Sequence, residues 1–116
     1  MVRIRNATRN TVLAEAVEVA DTSRKRRRGL LKRDSLAAGQ GLWISPCEAI
    51  HTIGMRFAID VLFLDRSRKV MKIRKEMRPG RLAVCLRAHS VLELPAGASE
   101  ATQTVAGDQL QFEKAL

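Results

Sequence analysis

The chain has 116 residues, carries 21 Lys+Arg against 12 Asp+Glu for a formal charge of +9 at pH 7, and is 46% hydrophobic. That length and apolar content describe one folded domain over residues 1–116 and exclude a disordered polyelectrolyte; no run approaches the roughly 18 apolar residues of a membrane-spanning helix. Two cysteines, Cys47 and Cys85, are too few for a disulfide scaffold or a four-cysteine zinc site.

Val2 and Ile4 open a short strand, Asn6-Ala7-Thr8-Arg9-Asn10 carries turn-forming side chains, and Thr11 to Val19 resumes with Leu13, Val17 and Val19 on one alternating face. The pattern predicts an N-terminal β-hairpin. From Asp21 to Leu31 the reading changes to a short helix: Asp21, Thr22 and Ser23 are good N-cap residues, and the following basic side chains suit the negative end of the helix dipole. Leu30 and Leu31 anchor its end while Arg24, Lys25, Arg26, Arg27 and Arg28 radiate into solvent. Gly39-Gln40-Gly41 loosens the chain before the strand Leu42-Trp43-Ile44, which stops at Ser45-Pro46.

The strongest strand signal is Ile59-Asp60-Val61-Leu62-Phe63-Leu64-Asp65, whose apolar residues occupy both parities, as in a central strand covered on both faces. A turn at Asp65-Arg66-Ser67-Arg68 leads to a half-exposed partner strand around Val70, Met71 and Ile73. Beyond Pro79-Gly80, Leu82 to Leu86 and Ser90 to Leu94 predict two further strands, and Pro95-Ala96-Gly97 ends the second. Ala98 to Val105 reads as a short helix or turn, and Gln109 to Glu113 as the last strand. Most connections are too short for parallel crossovers, so the expected fold is α+β: a mainly antiparallel, curved or barrel-like sheet with one or two short helices.

Several short blocks stand in order: Arg27-Arg28-Gly29-Leu30-Leu31, Ile50-His51-Thr52-Ile53-Gly54-Met55, Ile59 to Asp65, Val91-Leu92-Glu93-Leu94-Pro95-Ala96-Gly97 and Gly107-Asp108. Together, across residues 12 to 113, they resemble the family called domain of unknown function 192, small uncharacterised bacterial and archaeal proteins. The resemblance implies a curved, mostly antiparallel α+β fold and no activity, since the family has no established one. Many relatives carry a tryptophan-methionine pair before the segment matching Thr52, where this chain has Ile50-His51. Relatives are often exported; Met1-Val2-Arg3-Ile4-Arg5 is followed by no apolar signal core, so the sequence as given reads as cytosolic.

His51, Thr52 and Asp60 are the polar members of an otherwise apolar stretch from Ile50 to Leu64, and Glu93 sits among Val91, Leu92 and Leu94. A histidine beside a carboxylate can act as acid, base or ligand, and a carboxylate among apolar neighbours can have a raised pKa. The bland alternative is that these side chains satisfy buried backbone groups or pair with an arginine. Cys47 and His51 have a metal-like spacing, with Cys85, Asp60, Glu93 and His89 as the only residues to complete a ligand set; no metal and no cofactor is expected. A Cys47 nucleophile with His51 as base lacks any recognisable context.

Arg24 to Arg28, extended by Lys32 and Arg33, place seven positive charges in ten residues, and a second basic region runs from Arg66 to Arg81. Both can meet polyanions, yet Tyr is absent and no stacking pair or helix-turn-helix spacing is visible. The run also lacks the apolar face that would anchor a helix on an anionic membrane. The first expectation is therefore a binding or accessory module, with a groove beside Ile50–Asp60 taking an unidentified ligand or protein. An acid/base, hydrolase-like enzyme using His51 with Asp60 or Glu93, and a basic nucleic-acid-binding accessory protein, are the alternatives.

Overall fold

The structure is a computed structural model that describes residues 1–114. Alternation at the start of the chain yields the expected hairpin: β1 (Val2–Asn6) runs antiparallel to β2 (Thr11–Ala20), and Asn10 takes φ 57° in the turn. Asn enters this left-handed region more readily than most residues. Next comes α1 (Ser23–Arg28), capped by Thr22, whose hydroxyl accepts a 3.2 Å bond from the Lys25 amide. The helix is shorter than its basic run predicts. Gly29 breaks it at φ 51° and ψ −131°, and the buried Leu30 beyond that break seats the segment on the core.

The remaining elements are β3 (Gln40–Ile44), β4 (Ala49–His51), β5 (Ile59–Leu64), β6 (Val70–Met77), β7 (Leu82–Val84), β8 (Ser90–Pro95), α2 (Ala98–Ala101) and β9 (Leu110–Lys114). Seven strands form one sheet in the order β6-β5-β8-β3-β2-β1-β9, while β4 and β7 form a separate two-stranded ribbon. Every pairing is antiparallel except β2 with β3. That parallel pair needs a crossover, and the long segment carrying α1 supplies it. The sheet curls until its edges touch at one end: Lys69 bridges Gln109, the Val70 amide donates to Asp108 O at 2.9 Å, and Leu110 N donates to Arg68 O at 3.0 Å. The architecture is thus α+β on a mostly antiparallel half-barrel.

Curling creates two apolar compartments. Leu62 and Leu64 of β5 pack with Ile4, Val17, Leu92 and Leu110, residues on strands that are distant in the sheet and meet only across the inside of the curl. Ile59, Val61 and Phe63, of opposite parity, pack outside it against Ile44, Val91, Leu30, Ile50 and Ala83. All six residues of β5 are consequently buried, as its unbroken apolar run requires. Gly41 in β3 keeps this packing close, since a Cβ there would lie 2.9 Å from Leu94 Cδ2 and 3.1 Å from Glu93 O. No helix among the described residues is long and apolar enough to cross a membrane.

Candidate functional site

Parity along β8 sends Val91 and Glu93 to the outside of the curl, beneath α1 and the ribbon. Glu93 has Leu42 and Val61 as cross-strand neighbours, both buried and apolar. It is itself 3% exposed, and its Oε1 has no hydrogen-bond partner among the described residues. Burial pushes its carboxyl up to about 7, with the Arg33 charge pulling in the opposite direction. Arg33 donates its own hydrogen bond to Glu18, not to Glu93.

Above Glu93 opens a cleft of about 510 Å³. Arg26, Arg27 and Arg28 form one rim, and β4 with its approach, including Cys47 and His51, forms the other. Leu30, Ile44, Ile50 and Met55 make the walls apolar. Burial pushes the Cys47 thiol up, and its Sγ donates to Ala49 O at 3.1 Å, so the sulfur is held as a thiol rather than a nucleophilic thiolate. Among the described residues no three His, Cys, Asp or Glu side chains are grouped to hold a metal ion.

The four polar residues singled out from the sequence are divided by the fold. Glu93 and His51 line the cleft, Glu93 buried and His51 exposed. Thr52 is buried as a tie between loops: its Oγ1 donates to Arg78 O at 2.6 Å and accepts from Arg81 N at 2.9 Å. Asp60 lies under α2, where Oδ1 accepts from the amides of Glu76 and Gly97 at 2.8 and 3.2 Å, and Oδ2 accepts from Ser99 N and Oγ at 2.9 and 2.6 Å. These bonds tie Asp60 and Thr52 to backbone groups and Ser99, and neither side chain is hydrogen-bonded to His51.

The basic run does not simply radiate outward. Arg26, Arg27 and Arg28 face the cleft, whereas Lys25 and Arg28 border a second cleft of about 490 Å³ on the other side of α1. In the second basic region, the Arg68 guanidinium lies 4.6 Å over the Trp43 ring and 4.9 Å over Phe112, a packing role no spacing announced. Sequence reasoning also passed over β4 as a strand. Three residues are too few to show alternation, and its pairing with β7 brings an outward row into view: Leu82, Val84, Leu86 and Ile53 are all exposed.

The sequence pattern of domain of unknown function 192, described as an uncharacterized ACR, matches residues 4–112. A UPF0127 protein of Thermococcus sibiricus is 34% identical over 114 residues, covering 93% of this chain and 73% of the relative. Two crystal structures share the fold. A protein of unknown function from Novosphingobium aromaticivorans superposes with a TM-score of 0.82 at 20% identity, covering 95% of this chain and 82% of the other. A Sinorhizobium meliloti protein, described only as a candidate transcription regulator, gives 0.83 at 23% identity, covering 96% and 91%.

Proposed function

We propose, for a chain that belongs to the domain of unknown function 192 family, that it is a small binding module whose cleft between α1 and β4 takes an organic ligand with an apolar body, an anionic group and a hydrogen-bond donor. The observation that carries this reading is the buried, unpartnered Oε1 of Glu93 in the cleft. A buried carboxylate oxygen without a donor costs stability, and a bound molecule that donates to it recovers that cost. A hydroxyl or ammonium on the ligand supplies that donor. Arg26, Arg27 and Arg28 on the rim complement an anion, with Arg able to bind carboxylate or phosphate in a bidentate fashion. His51 on the opposite rim offers a further contact to the same ligand.

Acid/base catalysis is the second reading, because a carboxyl raised to about 7 can both donate and accept a proton near neutrality. It would run through Glu93 with His51, and not through Asp60, whose oxygens are already engaged. A nucleic-acid role draws only on the basic rim; the likeness to the Sinorhizobium meliloti protein is a likeness of fold.

The test is a thermal-shift panel of small carboxylates, phosphate esters, zwitterions and short oligonucleotides at low and moderate salt, on the parent, Glu93→Leu and His51→Ala. A ligand at about 100 times its Kd stabilises by about 2.7 kcal/mol, which moves the Tm of a domain this size by several degrees. The expected result is a small-molecule shift that survives moderate salt and disappears in Glu93→Leu. A shift given only by oligonucleotides, lost with salt and unchanged in Glu93→Leu, would overturn the reading.

A further inference from the structure

We propose that the β4–β7 ribbon is a docking surface for an anionic phospholipid bilayer. The proposal does not depend on the reading above: the ribbon's outer face borders the cleft at Ala49 and His51, but the exposed aliphatic side chains it uses lie outside the cleft lining.

The ribbon is two-sided. On its inner side Ile50 and Ala83 are 8% and 2% exposed and pack in the outer compartment of the core. On its outer side Leu82 pairs with His51 and Val84 with Ala49, and none of the described residues covers them: Leu82 is 65% exposed and Val84 40%. The turns at the ribbon's ends continue the apolar row, with Leu86 75% and Ile53 63% exposed. Isolated exposed leucines are ordinary, but four large aliphatic side chains on and beside one short ribbon mark an interaction surface.

Charge around the row chooses the partner. Residues 47–56 and 78–89 together hold Arg56, Arg78, Arg81 and Arg87 against the acid Glu48, and of these arginines Arg56 is ion-paired with Asp34 from outside the two segments. Glu48 is exposed, and its carboxylate accepts from the Arg87 amide at 2.5 Å. Lys72 adds a further cation at the ribbon's edge, its Nζ donating to Val84 O at 3.0 Å. A second copy of this chain would set arginine against arginine across the apolar row, on two molecules of net charge +9 each. An anionic bilayer meets both features at once: its phosphates lie at the level of the arginines while Leu82, Leu86 and Ile53 enter the acyl boundary. These three side chains line neither cleft described above; they project, and a projecting apolar row suits a fluid layer better than a shaped protein groove. The ribbon therefore supplies the apolar component of membrane binding that the arginine helix lacks.

The experiment is co-sedimentation of the full chain with vesicles of phosphatidylcholine alone and of phosphatidylcholine with phosphatidylglycerol, at physiological ionic strength. The proteins are the parent, Leu82→Ser/Leu86→Ser, Arg81→Gln/Arg87→Gln, and Arg24→Gln/Lys25→Gln on the helix. All substitutions are at exposed positions, and a melt of each variant confirms folding. Binding is expected only to the phosphatidylglycerol vesicles, falling by about tenfold in the leucine variant and clearly in the ribbon arginine variant, with the helix variant close to the parent. No vesicle binding by the parent overturns the proposal and leaves an acidic protein as the partner to seek. Binding that the leucine variant retains in full overturns it as mere polycation adhesion. A dimer in light scattering that the leucine variant abolishes overturns it in favour of self-association.

Discussion

Glu93 and Asp60 are almost equally withdrawn from water, at 3% and 0% exposed, yet their surroundings differ in one respect that decides their roles. Asp60 accepts four hydrogen bonds from three residues, whereas Glu93 Oε1 accepts none. Asp60→Ala would strand the Ser99 and Gly97 amides in a buried corner, and each unsatisfied donor costs about 1–3 kcal/mol. Loss of about 3 kcal/mol or more in urea denaturation is expected, and a loss under 1 kcal/mol would show that water replaces the carboxylate. Glu93 has the opposite sign. Its carboxyl releases its proton near pH 7 when folded and near 4.5 when unfolded, so the folded chain keeps a proton that the unfolded chain has lost. Its contribution favours the fold below about pH 4.5, weakens as pH rises through that window, and is level above 7, a change on the order of 3 kcal/mol. Glu93→Gln should accordingly raise stability at pH 8 and leave it little changed at pH 4.5; equal effects at both would mean that the carboxyl is paired in solution. Nothing in the sequence separates these two acids. Both sit in apolar strands, and the partners of Asp60 come from Glu76 and from Gly97 and Ser99, far along the chain.

At the scale of elements, α1 is the weakest part of the fold around the cleft. It spans six residues, none of them buried, and so short a helix does not persist unaided. The Thr22 cap and the anchoring of Leu30 hold it. Thr22→Ala should cost about 1 kcal/mol locally, seen as faster amide exchange from Lys25 to Gly29 with β5 and β8 unaffected; uniform acceleration across the protein would contradict this local account. β3 is the reverse case, a strand wedged between β2 and β8 with no room for a methyl group at Gly41. Gly41→Ala should destabilise by about 1–3 kcal/mol, measured by the denaturation midpoint. The hairpin, the buried β5 and the thread from β8 to β9 were legible because alternation and turn residues are local signals. The end of α1 was misjudged since leucines after Gly29 mimic a continuing helix, and the parallel pairing of β3 depends on a crossover whose path no local pattern specifies.

For the molecule as a whole, a charge of +9 on a domain of this size opposes compaction. Raising ionic strength from about 0.01 M to about 0.15 M shortens the screening length from about 30 Å to about 8 Å and should raise the Tm. A fall would mean that ion pairs such as Arg3 with Glu15 and Arg33 with Glu18 outweigh the general repulsion. The α+β class and a curved or barrel-like sheet were legible in the sequence, but which edges meet was not, because Lys69 and Gln109 come together only after every intervening strand is placed. The same topology governs the protein during its synthesis. β1 can pair with β2 as soon as both strands exist, yet its second edge is filled only by β9, the last strand in the sequence. Until β9 joins, that edge is open to pairing with another strand, and Arg5 and the Glu15-paired Arg3 place charged side chains along it, a feature that disfavours such pairing. With β9 in place, Arg3 lies 3.1 Å from Glu15 on one side and 3.7 Å from Glu113 on the other, so the residue that charges the open edge also ties the finished seam together.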